Sequence, residues 1–412
     1  MSETLVHSPG KRVLILSVSA GAGHLRAAEA LMKDFQEHPA VKNGGEVQHW
    51  DFGKYSTPFF RAIHTKLLPA LVNRAPWVLG MVYDGTDIPW KEGITRALEK
   101  FNAGPFIKAF REYQPDLVVC TEFTPAHIIS WLNTHKKGAL GGGKKIDPAI
   151  VVTDFDIHAM WLTRSYSRYF VALPETKVYM QALGIPEGKI TVSGIPIDPI
   201  FRTPKDKPAT RRALGLDPNL TTLLVSAGGF GTGPIELILA QLQTMKTPAQ
   251  VVAIAGKSEE LKARLDKLAR KTPPDAPVKI HPVGFTRQMD DYMAAADLLI
   301  SKAGGLTTSE AMARGLPLCV VNPIPGQEER NSDHLLEAGV AIKCNTPPTL
   351  AWKVQRLLRD PARLESLRAQ ARTFGKPFSG ETIVQKLLGC PKDTLTGEPA
   401  SAGAHAPPDS SR

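Results

Sequence analysis

The chain has 412 residues, 42% hydrophobic and 22% charged, a balance that suits packed globular domains and excludes a disordered polypeptide. A formal net charge of +10 and an isoelectric point of 9.3 suggest an anionic partner, without choosing among phosphate groups, nucleic acid and an acidic membrane surface. At this length two domains of ordinary size are expected, and the four scattered cysteines, Cys120, Cys319, Cys344 and Cys390, suit a reducing interior better than a metal or disulfide framework.

Residues 1–10 are polar and lack the apolar core of a secretory signal, and no run of about 18 apolar residues occurs, so a cytoplasmic chain that does not span a bilayer is expected. The first strand signal is Val13-Leu14-Ile15-Leu16-Ser17-Val18, an apolar run of the kind buried on both faces of a parallel sheet. It leads into the glycine turn Ser19-Ala20-Gly21-Ala22-Gly23-His24 and a helical pattern from Leu25 to Phe35. Between Tyr55 and Trp90, aromatic and apolar residues such as Phe59, Phe60, Leu67 and Trp77 alternate with Lys54, Arg61, Lys66 and Arg74. That mixture fits either a helix lying in an anionic membrane interface or an amphipathic helix packed on its own domain.

Further strands are readable at Asp116–Cys120, Ala149–Thr153 and Tyr169–Ala172, and the Gly-Gly-Gly stretch within Gly138–Lys145 reads as an exposed loop. Proline-rich polar text from Gly194 to Pro218 marks a domain junction. A second series of strands follows near Leu223–Ser226, Val251–Ala255, Lys279–Val283, Leu298–Ser301, Leu318–Val321 and Val340–Ile342. The alternation predicts an α/β protein with two doubly wound sheets. The expected organisation is a flexible start (1–10), a first α/β domain (11–200), a linker (201–218), a second α/β domain (219–375), a C-terminal helix that returns to the first domain (376–390) and a disordered tail (391–412).

The strongest chemical constellation is Ser301-Lys302-Ala303-Gly304-Gly305-Leu306-Thr307-Thr308-Ser309-Glu310, which follows a strand and opens a helix. Gly304 and Gly305 let the backbone approach a bound group, and free N–H groups with the helix dipole favour an anion such as phosphate. Thr307 and Thr308 add hydroxyl donors, and Glu310 can accept hydrogen bonds from a ribose diol. The same residues also suit a plain helix start, with a threonine cap and an acid complementing the dipole. A second glycine loop, Ala227–Pro234, contains Gly229 and Phe230; two such loops on one sheet point to a ligand at the carboxyl ends of the strands. In Pro323–Asn331, Gln327 and Glu328 are equipped to read sugar hydroxyls and Asn331 to cap the next helix, a solvated loop being the alternative. His24 closes the first glycine turn, where an imidazole can take a proton near neutral pH or serve only as a structural hydrogen bonder.

Read together, Ser-Ala-Gly-Ala-Gly-His at 19–24, Val-Val-Thr-Asp-Phe at 151–155, Gly-Ile-Pro-Ile at 194–197 and the run Val283–Asn331 resemble a known family. It is the group of inverting, metal-independent glycosyltransferases that includes monogalactosyldiacylglycerol synthase, processive diacylglycerol glucosyltransferase and the peptidoglycan transferase that makes lipid II. The resemblance covers roughly residues 11–385 and favours the glycolipid synthases. It implies a GT-B architecture: two doubly wound Rossmann-like domains facing a central cleft, with the acceptor on the first and the nucleotide sugar on the second. By this resemblance His24 is similar to the base or acceptor-orienting histidine, Phe285 to the residue whose backbone holds uracil, and Glu310 to the ribose-binding carboxylate. Gly23, Gly229, Phe230, Gly304, Gly305, Thr307 and Thr308 are donor-binding in this scheme, and Gln327 and Glu328 match donor-sugar contacts. One departure stands out: several relatives carry an arginine near the diphosphate shortly after Gly-x-Pro, where this chain has Asp198. Either Arg202 or Lys302 then supplies the charge, or Asp198 points away.

The implied reaction is attack of a diacylglycerol hydroxyl on the anomeric carbon of UDP-glucose or UDP-galactose, inverting it to a β-glycoside. No metal and no cofactor are expected, the UDP-sugar being a co-substrate. His24 would take or steer the proton, directly or through Asp154, with Asp154 and His158 beside the acceptor hydroxyl. Asp154-Phe155-Asp156 also spells a D-x-D that could hold a divalent metal, but in the half opposite the nucleotide loops. The expected partners are the UDP-sugar, diacylglycerol or a related lipid, and an anionic membrane surface on the inner face of the cell membrane. Nucleic acid is not expected, because Lys and Arg are spread along the chain rather than gathered around stacking aromatics. Two alternatives are N-acetylglucosaminyl transfer to a polyprenyl-linked cell-wall precursor and a dinucleotide-dependent oxidoreductase. The latter needs an acid about 20 residues beyond its glycine loop, and Asp34 and Glu37 come too early.

Overall fold

The computed structural model describes residues 10–19, 22–57, 76–90, 103–136, 138–226 and 235–389. In the first domain β1 (Arg12–Ser17), β2 (Glu46–Asp51), β3 (Leu117–Cys120), β4 (Ala149–Val151), β5 (Arg168–Val171) and β6 (Ile190–Val192) form a parallel sheet in the order β2-β1-β3-β4-β5-β6. Successive side chains of the central strands serve opposite layers, so both kinds must be apolar. Leu14, Leu16, Val118 and Cys120 pack with Phe52, Phe106 and Phe110 on one face. Val13, Ile15 and Val119 pack on the other against Ala28, Leu31 and Phe35 of the helix Ala22–Glu37. The edge strands β2 and β6 escape a reading based on apolar runs; Glu-Val-Gln-His-Trp-Asp in β2 is only half-buried along its length.

The second domain repeats the plan with β7 (Thr222–Ser226), β8 (Ala249–Ile254), β9 (Val278–Val283), β10 (Leu298–Ser301), β11 (Leu318–Val321) and β12 (Ala341–Cys344), again all parallel, in the order β12-β11-β10-β7-β8-β9. Residues 201–218, expected as a linker, instead contribute the helix Lys207–Ala213, capped by the Asp206 side chain. Pro208 is no obstacle in a first turn, where no intrahelical amide bond is needed. Lys207 and Arg211 then pair with Asp297 at 2.9 and 2.6 Å, which builds the segment into the second domain.

The helix Ser379–Leu388 crosses back to the first domain, burying Ile383 and Val384 with Val13, Ile15 and Leu31. Ser379 Oγ donates to the Ile195 carbonyl at 2.7 Å at the crossing. The core is also continuous between the domains, since Ala27, Phe155, Ile195 and Ile197 of the first pack with Leu306 and Met312 of the second. The sequence expectations for residues 1–9, the tail 391–412, the basic–aromatic stretch 58–75 and the glycine loop holding Gly229 and Phe230 lie outside the described residues.

Candidate active site

In each sheet the strand order reverses beside the first strand, between β1 and β3 and between β7 and β10. Loops leaving the carboxyl ends of those strands diverge, which opens a crevice in doubly wound sheets. The turn after β10 is the donor candidate. The helix Gly305–Ala313 begins at Gly304, which has no side chain to cap the first amides, so they are left for a ligand. Thr308 turns inward rather than toward a ligand: its hydroxyl donates to the Gly304 and Gly305 carbonyls at 2.9 and 3.0 Å. Thr307 is half-buried on the same turn. Phe285, just beyond β9, is exposed, with the Lys257 ammonium 5.5 Å from its ring centre.

Glu310 is buried, and burial pushes its carboxyl above the ordinary value while Arg26 pulls the other way. Arg26, on the first helix of the opposite domain, donates to its Oε1, whereas Oε2 is buried without a hydrogen-bond partner. A carboxylate oxygen in that state is an acceptor waiting for a donor, such as a ribose hydroxyl. Glu328 is committed on both oxygens, to Lys302 at 3.2 Å and to the Ile324 amide at 2.8 Å.

In the first domain, His24 Nδ1 lies 3.0 Å from the Thr121 carbonyl and 2.9 Å from Thr153 Oγ1. A carbonyl can only accept, so Nδ1 carries the proton of the neutral ring and Nε2, which makes no hydrogen bond among the described residues, holds the lone pair. Burial pushes the ring's pKa below its ordinary value, against the Thr121 carbonyl, which raises it. His24 is therefore neutral at neutral pH and presents a basic nitrogen. Trp161 flanks it at 6.3 Å between ring centres, with Phe123 edge-on to Trp161 at 5.8 Å. The Cα of Gly23 faces open space.

Asp154 is placed differently from the expected relay. Its carboxylate is held by Asn331 Nδ2 at 3.2 Å and by Gln327 Nε2, not by His24. Burial pushes it up to about 6, the two amide donors acting in the opposite direction. Asn331 is no helix cap. It lies fully buried inside the helix Gln327–Glu337, accepting from the Phe155 amide at 2.9 Å and donating also to the Ala303 carbonyl at 3.1 Å. The start of that helix is Gly326, at φ +84, a conformation open to glycine, with the Tyr83 ring where a Cβ would stand.

His158 likewise serves the fold. Its Nδ1 accepts from the Met160 amide at 3.0 Å and its Nε2 donates to the Tyr83 carbonyl at 2.8 Å, so neither nitrogen is open to an acceptor hydroxyl. It thereby anchors the helix Pro76–Thr86, whose Gly80 packs against Pro325 in the loop before the helix Gln327–Glu337. Asp156 pairs with Arg330 at 3.5 Å, which also reaches Asp87 at 2.9 Å. Both carboxylates of the D-x-D thus have protein partners. Asp198, for its part, is engaged within the protein: its side chain accepts from the Ile200 amide at 3.1 Å and pairs with Lys33. Arg202 is engaged by Asp34 and the Pro377 carbonyl. Sequence reading missed Arg26, Thr121, Thr153 and Trp161; Thr153 stands inside the Val-Val-Thr-Asp-Phe motif, but nothing in that run shows that its hydroxyl meets His24.

Residues 24–197 match the family model for monogalactosyldiacylglycerol (MGDG) synthase, and residues 206–374 match that for glycosyl transferases group 1. The two Rossmann-like halves give the chain the GT-B architecture, and the two family models together mark it as a glycosyltransferase. Over nearly its whole length the chain is similar to the processive diacylglycerol beta-glucosyltransferase of Staphylococcus saprophyticus, at 29% identity over 380 residues and 92% of each chain. Among solved structures, it shares its fold with MurG of Acinetobacter baumannii (TM-score 0.59, 18% identity, 92% of this chain and 99% of that one). Anabaena HepE in complex with UDP is similar too (TM-score 0.52, 14% identity, 91% and 99%).

Proposed function

We propose that the chain transfers a hexose from a UDP-sugar, UDP-glucose or UDP-galactose, to diacylglycerol with inversion, forming a β-glycosyl glycolipid without a metal. The observation that carries the reading is a pair of polar atoms without a partner among the described residues, one from each domain: the buried Oε2 of Glu310 behind an uncapped helix start, and the lone pair on His24 Nε2. The name of the Staphylococcus saprophyticus relative supplies the lipid and favours glucose.

The proton bookkeeping is simple. His24 Nε2 takes the hydroxyl proton as the acceptor oxygen bonds to the anomeric carbon, while Nδ1–H stays on the Thr121 carbonyl and fixes the ring. The bond to the UDP oxygen breaks on the opposite face, and the amides at Gly305–Thr307 stabilise the charge that develops there. In this reading Gln327 and Glu328 form the sugar end of the donor site, Glu328 bracing it through Lys302 and the Ile324 amide and Gln327 tying it to Asp154 of the other domain. Trp77 and Met81, 64% and 68% exposed on the helix Pro76–Thr86, suit insertion of that helix into the inner face of a membrane holding the lipid. No helix among the described residues is long and apolar enough to cross a membrane.

The test is incubation with a panel of UDP-sugars and diacylglycerol, with EDTA present, followed by mass analysis of the lipid. A hexosyl-diacylglycerol is expected. Product formed only with a polyprenyl-linked acceptor, or only with added metal, would overturn the respective part.

A further inference from the structure

A pyrophosphate needs more than amide dipoles, and the described cations near the donor turn can be sorted by what already holds them. Lys33 is taken by Asp198, Arg202 by Asp34 and the Pro377 carbonyl, and Lys302 by Glu328. Arg26 is different. Its side chain is 38% exposed, and among the described residues its one hydrogen bond runs from Nη2 to Glu310, whose side chain is 1% exposed. Among the described residues Nε and Nη1 have no hydrogen-bond partner, and Nη2 carries a second N–H, so one of the two paired N–H edges of the guanidinium remains open.

The position of Glu310 locates that fork. Helical side chains lean toward the helix N-terminus, so the Glu310 carboxylate lies back over the turn that begins at Gly304 and Gly305. Arg26, anchored to Oε1, is brought in from the opposite domain over the same turn. Guanidinium forks match phosphate oxygens in pairs, which an ammonium cannot do.

We propose that Arg26, supplied by the acceptor domain, is a ligand of the donor's diphosphate, with Glu310 as its hinge: Oε1 holds the guanidinium and Oε2 is left for the ribose. The assignment rests on the UDP-sugar reading above. It means that the donor is gripped by both domains at once, so that binding a nucleoside diphosphate draws the cleft closed over the reacting atoms. It also accounts for how this chain manages with an acid at position 198.

Calorimetric titration of wild type, Arg26→Ala and Arg26→Lys with UDP and with uridine separates the roles. Arg26→Ala is expected to weaken UDP about tenfold or more while leaving uridine within about twofold. Arg26→Lys preserves the pairing with Glu310 and guards against misfolding; it should lose affinity for UDP by a smaller factor, again without change for uridine. Equal losses for UDP and uridine would show that Arg26 only positions Glu310, and unchanged UDP affinity would show no role; either result overturns the assignment. Wild-type protein that binds neither compound would refute the UDP-sugar reading itself, and this assignment with it.

Discussion

Gly305→Ala is the sharpest single perturbation available, because local and tertiary physics give opposite signs. In an isolated helix the change would stabilise by about 1 kcal/mol, since glycine is a poor helix former. Here a Cβ would overlap the Thr153 carbonyl oxygen of the opposite domain and stand 3.1 Å from Ile195 Cδ1. Thr153 is backbone at the end of β4 and its hydroxyl steadies His24, so it cannot yield freely. Relief needs the walls of the cleft to part by roughly 1 Å, and overpacking of this kind costs about 1–3 kcal/mol. Misplacement of reacting groups by roughly 1 Å can cost about 10²-fold in rate. Turnover of Gly305→Ala should therefore fall about a hundredfold, measured as glycolipid formed at saturating UDP-sugar, while each domain stays folded by circular dichroism. Wild-type turnover in this variant would refute the view that the two walls must meet at Thr153 and Gly305.

His24→Ala should lower turnover by about 10²- to 10⁴-fold while UDP affinity, followed by calorimetry, is unchanged; a loss of only a fewfold would remove the ring from the chemistry. Because the pKa of His24 is lowered, the acid limb of the wild-type pH–rate profile should lie below the ordinary imidazole range. Asp154, raised to about 6, behaves in the opposite sense to a salt-bridged acid: its stability contribution is full when protonated and is lost as pH rises through about 6. Asp154→Asn should consequently gain stability relative to wild type by about 2 kcal/mol between about pH 4.5 and 7.5, read from urea titrations; a pH-independent difference would show that the carboxyl is not shifted. Finally, Trp77→Ala combined with Met81→Ala should reduce binding to phosphatidylglycerol vesicles at least tenfold, since each apolar side chain is worth about 1.5–3 kcal/mol when buried. Undiminished vesicle binding with this pair would assign the membrane contact to another surface.

The sequence alone determined the two doubly wound sheets and the place of the uncapped helix start at Gly304. A parallel strand covered on both faces has to be written as contiguous apolar residues, which is why β1, β10 and β11 were readable almost to the residue. A strand end, a glycine turn and an uncapped helix start are likewise a local device, complete within Ser301–Glu310. Strand β2 was illegible because an edge strand buries too little to force an apolar pattern. What only the tertiary structure decided is the traffic across the cleft. Arg26 meets Glu310 from 284 positions away, Gln327 and Asn331 take the carboxylate of Asp154 that had been assigned to a relay, and His158 spends both nitrogens holding a helix. The proton on His24 Nδ1 is fixed by a carbonyl 97 residues distant. A polar side chain has no periodicity that names its partner; burial makes a partner obligatory, and which one it gets depends on which chain segments the two sheets bring together.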